Sequence, residues 1–259
     1  MVTIENVGVG LLLGVVSGLL SGLVGIGGGT IIIPLLVFLL GYSQHVAQGT
    51  ALLAFAFPVF GWAAWNYYKH GRVDWRLALG VAGGIGIASF FAARWVQALR
   101  NDLLTQIFAF FLIGTAIWQF WRAGRSFSLV SSAGRERGSF GKVFLGLAIG
   151  MIAGALKGLT GLGGGVVIVP LLIWLGRLDQ HTAQGTSLLT MTLPVSFMAV
   201  IPYWEKGNIE PWTGLAVAAG LLIGSAISSR FAQQIAGAHL ARLFSTVIFI
   251  IGIILLVRK

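Results

Sequence analysis

Residues 21–50 read SGLVGIGGGTIIIPLLVFLLGYSQHVAQGT, and residues 157–186 read KGLTGLGGGVVIVPLLIWLGRLDQHTAQGT. The two stretches align without a gap at an offset of 136: Gly22 falls on Gly158, Pro34 on Pro170 and His45 on His181. The same offset pairs Pro58 with Pro194, Tyr67 with Tyr203, Gly71 with Gly207, Arg94 with Arg230 and Phe108 with Phe244. It holds from Gly10 and Gly146 to the C-terminus. Self-similarity at a fixed spacing marks a repeated structural unit, so the chain reads as two copies of one fold.

What each copy is made of follows from its composition. The chain has 259 residues, of which 57% are hydrophobic and 9% charged, against roughly 25% charged in a soluble domain. High hydrophobicity and low charge also exclude disorder. No Asp, Glu, Lys or Arg lies between Glu5 and Lys69, and further charge-free runs cover 103–121, 143–156, 158–176, 180–204, 211–229 and 243–257. The longer runs reach the ~20 residues a helix needs to cross ~30 Å of hydrocarbon. The expected class is an all-α polytopic membrane protein with 8–10 membrane segments, its nonpolar face in contact with the lipid bilayer. The formal charge of +10 sits mainly in short loops and at Arg258-Lys259, as the positive-inside rule expects, and no basic domain suits nucleic acid. The N-terminus lacks the basic region of a signal peptide, so the first apolar segment should remain in the mature protein.

The domain boundaries follow: a first membrane repeat at 1–122, a cytoplasmic basic linker at 123–142 and a second repeat at 143–259. From Arg122 to Lys142 the linker region carries five basic residues and one acid. Each copy should hold a Gly-rich segment (8–25), a break at Gly27-Gly28-Gly29, a short helix (30–40) and three long helices at 44–68, 76–99 and 103–121. The second copy should repeat them at 144–161, 166–175, 180–204, 212–235 and 239–257. Ser43 and Asp179 stand where each can cap the next helix. Eleven residues at 30–40 are short for a span, which favours four spans per copy and parallel halves. The loop KHGRVDWR (69–76) is net basic while its mate EKGNIEPW (205–212) is net acidic. That contrast tips the expectation towards halves inserted in opposite orientation.

Three features carry chemistry. The glycine triplets Gly27-Gly28-Gly29 and Gly163-Gly164-Gly165 interrupt a helix, and the short helix after each begins with unpaired N–H groups. Such an N-terminus favours an anion, and paired Gly/Pro breaks in two halves point to a transporter's binding site. Gly10, Gly14 and Gly18 instead suit close helix packing. The second feature is QHxAQGT, at Gln44–Thr50 and Gln180–Thr186. Gln44 and Gln48 share a helix face, followed by Ala51 in one copy and Ser187 in the other. Polar groups within a membrane should face the bundle interior, which makes Gln48, Gln184, Thr50, Thr186 and Ser187 candidates, with His45 and His181 beside them. Equally, such groups can simply bond neighbouring helices together. The third is Lys157, whose mate is Ser21. A central lysine costs roughly 2.5–3.5 kcal/mol on insertion scales; it either attracts an anion or snorkels to the headgroups. Trp62, Trp65, Tyr67, Tyr68, Trp75, Trp118, Trp121, Trp204 and Trp212 read as interfacial anchors.

No cysteine is present, and neither metal-ligand spacing nor a Walker-type phosphate loop occurs. With seven acids in all, nearly all in loops, no cofactor site and no enzyme are expected. The doubled GLxGxGGGxxxxP, followed by AxGT and a later Pro, resembles the sulfite exporter TauE/SafE family over essentially the whole chain. The resemblance implies a multi-pass permease of the bacterial inner membrane that moves small sulfur-containing anions such as sulfite or organosulfonates. The family's glycine motif falls on Gly25, Gly27, Gly28, Gly29 and Pro34 and on Gly161, Gly163, Gly164, Gly165 and Pro170, and its GT on Gly49-Thr50 and Gly185-Thr186. The resulting expectation is a secondary transporter. Helix-terminal N–H groups of Gly27–Thr30 and Gly163–Val166 would hold one anion between the breaks. Gln48, Gln184, Thr50 and Thr186 would complete the cage. The alternatives are a divalent cation permease using His45 and His181, or a non-transporting integral membrane assembly protein. Assembly into homo-oligomers stays open.

Overall fold

The computed structural model describes residues 4–24, 28–123, 139–162, 164–231 and 237–257, and these residues are helical apart from short turns. The order is α1 (Ile4–Val24), α2 (Gly29–Leu39), α3 (Gln44–Ala54), α4 (Gly61–Lys69), α5 (Trp75–Val96) and α6 (Asn101–Ala123). It continues with α7 (Ser139–Thr160), α8 (Gly165–Trp174), α9 (Gln180–Thr192), α10 (Phe197–Glu205), α11 (Pro211–Phe231) and α12 (Gly237–Val257). Among the described residues four helices are long and apolar enough to cross a membrane, covering Trp75–Val96, Asn101–Trp118, Phe140–Thr160 and Pro211–Ser228; the bent pair α9–α10 meets the same criterion when its two helices are taken together. Large apolar side chains such as Phe91, Phe110, Trp121 and Phe144 lie exposed on the outer faces, which lipid covers and water would not tolerate. The protein is a polytopic α-helical membrane protein.

Local chemistry sets the element ends. Ser43 accepts a hydrogen bond from Val46 N–H at the start of α3, Asp74 from Arg76 and Leu77 at the start of α5, and Asp179 from His181 and Thr182 at the start of α9. These are N-caps, each satisfying first-turn donors. The helices expected as continuous over 44–68 and 180–204 are each split in two. Pro58 has no N–H to offer the preceding turn, so α3 ends at Ala54 and the chain crosses a tight turn, Val59 N–H to Phe57 O at 2.7 Å, before α4. Pro194 does the same, with Val195 N–H to Leu193 O at 2.7 Å, and α9 and α10 meet at 46°. Ser225 on α11 donates to the Val59 carbonyl at 2.8 Å, satisfying an acceptor that the break leaves free. Within the expected linker 123–142, α6 reaches Ala123 and α7 begins at Ser139; residues 124–138 lie outside the described residues.

Glycine ridges fix the packing. Gly80 and Gly84 of α5 lie against Gly146 and Gly150 of α7, and Gly154 and Gly158 continue the seam onto Ile85, Ser89 and Ala92. Numbers rise together along both helices, so α5 and α7 run parallel. Gly14 and Gly18 of α1 meet Gly220 and Gly224 of α11 in the same sense. A Cβ on Gly18 would come within 2.7 Å of the Leu221 carbonyl, so these backbones approach as only small-xxx-small ridges permit.

The 22-residue α5 spans about 33 Å and has a different set of partners at each end. At its start, Asp74 receives Lys142 Nζ at 2.9 Å and its N–H donates to Thr186. At its end, Gln97 accepts from Asn208 Nδ2 at 2.7 Å and Arg94 pairs with Glu205. The loops around Asp74 and Asn208 therefore lie at opposite ends of the same helix.

Candidate functional site

Two glycine-rich breaks separate the helices, one between α1 and α2 and one between α7 and α8. After Thr160 the chain reverses at Gly161, whose φ is +70°, and at Gly164, whose φ is +86°. Both lie in the left-handed region that favours glycine. The reversal sets the α8 N-terminus back alongside α7, where an ideal Cβ on Gly164 would be 3.8 Å from Lys157 Cδ. The first turn is built differently: Gly28 has an ordinary φ of −62°, and a Cβ there would be 3.3 Å from Ser17 Cβ. Gly27 and Gly163 lie outside the described residues, whereas Gly28, Gly29, Gly164 and Gly165 are all buried.

Lys157 is 2% exposed and donates to Ser196 Oγ at 2.6 Å. Ser196 belongs to the turn that Pro194 makes between α9 and α10. Lys157 lies fifteen residues beyond Lys142 on α7, about 22 Å along the axis. The snorkelling alternative is thereby removed: the ammonium end is buried on a hydroxyl, not in headgroups. The second break also has an amide nearby. Gly161 lies against Gln48, with an ideal Cβ 2.7 Å from Gln48 Cβ. Gln48 Oε1 accepts from Tyr203 OH at 2.8 Å while its Nε2 is buried and unpartnered. An α8 N-terminus, a buried amine, a hydroxyl and a free amide donor thus gather around one turn.

The first break is uncharged. Ser17, Ser21 and Thr30 are buried with unpartnered hydroxyls, and their mates at the 136 offset are Ala153, Lys157 and Val166. Ser17 and Ser196 were not among the candidates. The spacing of Ser17 and Ser21, one helical turn apart, was a usable signal; nothing local singles out Ser196, which acquires its partner through the tertiary fold.

The other candidates separate. Thr50 Oγ1 accepts from Glu210 N–H and Thr186 Oγ1 from Asp74 N–H, both at 3.0 Å. These two pins lie towards opposite ends of α5, so the two threonines do not close one cage. Gln184 accepts from Tyr67 OH at 3.3 Å, matching Tyr203 and Gln48 across the offset. Tyr67 is 7% exposed and holds this amide from within the core, which corrects its reading as an interfacial anchor. Trp62, Trp65, Trp75, Trp121, Trp204 and Trp212 are exposed at or near helix ends, as anchors should be. Ser187 is buried with an unpartnered hydroxyl. His45 Nε2 bonds the Leu99 carbonyl at 3.1 Å near the end of α5, whereas His181 is exposed beside Asp179. Among the described residues no three His, Cys, Asp or Glu side chains cluster as metal ligands.

Apolar helices parted at buried glycines, with buried unpartnered polar groups on the adjoining helices, suit a helical membrane transporter. The family model described as Sulfite exporter TauE/SafE matches residues 10–255, and the chain belongs to that family. Bacillus subtilis "Probable membrane transporter protein YdhB" is 28% identical over 215 residues, 83% of this chain and 85% of the relative. Methanocaldococcus jannaschii "Probable membrane transporter protein MJ0441" is 25% identical over 265 residues, 95% of this chain and 94% of the relative. No solved structure matches. The relatives are named as transporters and not as enzymes.

Proposed function

We propose that the protein is a secondary transporter of small sulfur-containing anions, sulfite or an organosulfonate, in the inner membrane of a bacterium. The anion seats at the second break, with its oxygens on the α8 N-terminal N–H groups, Lys157 Nζ and Gln48 Nε2. The observation that carries this reading is Lys157. It is buried near a helix N-terminus, itself the positive end of a dipole, with Ser196 Oγ as its hydrogen-bond partner and no carboxylate bonded to it among the described residues. An ammonium beside that N-terminus in low dielectric is destabilised until an anion lies with it.

The first break, with Ser17, Ser21 and Thr30, is the uncharged counterpart that receives the anion when the halves rock. The halves 1–122 and 143–259 are inverted repeats, a reading supported by the mate loops at opposite ends of α5. Lys142, at the edge of the basic linker 123–142, pairs with Asp74, so linker and basic loop 69–76 share one face; the positive-inside rule makes that face cytoplasmic. Rocking of one half against the other about the membrane-plane axis gives alternating access.

A thermal-shift panel on purified protein tests the reading. Sulfite or a sulfonate should raise the melting temperature with saturation, as any ligand of the folded state must. Carboxylates should act weakly and divalent metals not at all. A saturable shift by a metal alone would overturn the assignment.

A further inference from the structure

We infer that Lys157 carries the coupling proton: the anion enters with one H⁺, taken up by the Lys157 amine as the anion seats. The inference rests on the anion site proposed above and adds the energy source.

The geometry sets two protonation states of unequal cost. With the site empty, Lys157 Nζ is buried, and among the described residues its hydrogen-bond partner is the Ser196 hydroxyl. A neutral amine satisfies that contact as well as an ammonium does, and burial with no counter-charge disfavours the ammonium. The titratable and charged groups on the described parts of the surrounding elements offer none. On α5, Arg76 lies near the start of the helix, far along the axis from Ser89, and Arg94 is engaged with Glu205 of α10 at 3.2 Å with both side chains more than half exposed. Tyr203 of α10 spends its hydroxyl on Gln48. On α6, Asp102 pairs with Arg100 at the exposed end, and Arg122 lies at the other. On α7 itself, Lys142 pairs with Asp74. The described part of α8 has no titratable side chain, and those of α9 reduce to the exposed His181 at its start.

A seated anion reverses the balance. Its charge lies against Nζ, and the ammonium becomes the favoured form. The step is R–NH₂ + H⁺ → R–NH₃⁺, with the proton drawn from the aqueous side that the site then faces. A monoanion and this proton cross together as a neutral pair. On the other side, loss of the anion leaves the ammonium unpaired and the proton follows. The offset mate Ser21 cannot titrate, so one proton accompanies each cycle.

Linkage gives the sign and size. The occupied site binds one proton more than the empty site, so affinity should rise about tenfold for each unit of falling pH within the window between the two states. The experiment is titration calorimetry of purified protein with methanesulfonate, an anion that does not itself titrate in this range. Sulfite serves with a protein-free blank. Runs in two buffers of different ionisation enthalpy count the protons taken up. Wild type should take up close to one per anion. Lys157→Arg, permanently charged, should bind with none, and Lys157→Gln should bind at least tenfold more weakly with none. Ser196→Ala should keep the uptake, since it removes only the neutral partner. Anion binding by wild type without proton uptake, or equal uptake by Lys157→Gln, overturns the coupling while leaving the anion site standing. Absence of binding by either anion overturns the site itself, and the coupling with it.

Discussion

Replacing the two break glycines by alanine separates the two turns energetically. Gly164 holds φ +86° and ψ −27° as the N-cap of α8, a left-handed conformation that costs an L-residue roughly 1–2 kcal/mol. The new methyl would also meet Ile168 Cδ1 at 3.2 Å, the end of a flexible side chain that yields at small cost. Gly28 has φ −62° and ψ −7°, where alanine is unstrained. Its methyl would meet Leu221 Cδ2 at 3.0 Å and Ser17 Cβ at 3.3 Å, a mild overpacking at the low end of the usual range, about 1 kcal/mol. Gly164→Ala should therefore be the more destabilising of the two, by up to about 1 kcal/mol. That gap is a factor of about 5 in the unfolding constant. Unfolding in mixed dodecyl sulfate micelles, followed by tryptophan fluorescence, reads both variants on one scale. Equal costs, or a larger cost at Gly28, would refute the account of two differently built turns. Valine at either position adds a β-branched side chain on the break and should abolish transport in protein that still inserts.

Three further outcomes are open to direct measurement. Gly49→Ala and Gly185→Ala drive a Cβ into the carbonyls of Asn208 and Arg72, so each should destabilise by several kcal/mol and lower the detergent melting temperature; tolerance of both would dismiss these span-end pins. Gln48→Leu removes the free amide donor and should weaken anion binding about tenfold, since a bond to a charged group is worth roughly 1.5–3 kcal/mol. Tyr203→Phe should lower stability and leave affinity close to wild type, and calorimetric affinities that fall alike in both variants would return Gln48 to a purely structural role. Asp179→Ala should cost about 0.5–2 kcal/mol as a lost N-cap, read by thermal unfolding. Burial pushes the Asp179 carboxyl pKa up, but bonds from the Thr182 hydroxyl and the Thr182 and His181 amides hold it below its ordinary 3.8. The contribution of the cap is thus full above that value and disappears only as pH falls through the lower folded one.

The sequence made the membrane class plain because lipid imposes long charge-free runs, and the 136 offset brought out the paired breaks. Capping by Ser43 and Asp179 was legible, since an N-cap is a local device. What escaped was non-local. Pro58 and Pro194 signalled a disturbance, but whether a proline bends or severs a helix depends on what satisfies the freed carbonyls, and Ser225 lies on a helix far along the chain. Thr50 and Thr186 read as cage members because a one-dimensional motif cannot show that its two copies face opposite ends of α5. Lys157 stood out as the only charge in the Gly-rich segments, yet its burial on Ser196 follows from a turn the periodicity does not encode. The difference between Gly28 and Gly164 was hidden for a similar reason: the same residue at mate positions adopts different backbone angles when its surroundings differ.

The most direct test of the central claim is uptake of radiolabelled sulfite into proteoliposomes by wild type and by Lys157→Ser, which copies Ser21 of the first half. Saturable uptake by wild type, with a concentration for half-maximal rate at least tenfold higher in Lys157→Ser at equal incorporation, is the result this account predicts. Indistinguishable uptake by the two proteins would remove Lys157, and with it the anion seat at the α8 N-terminus.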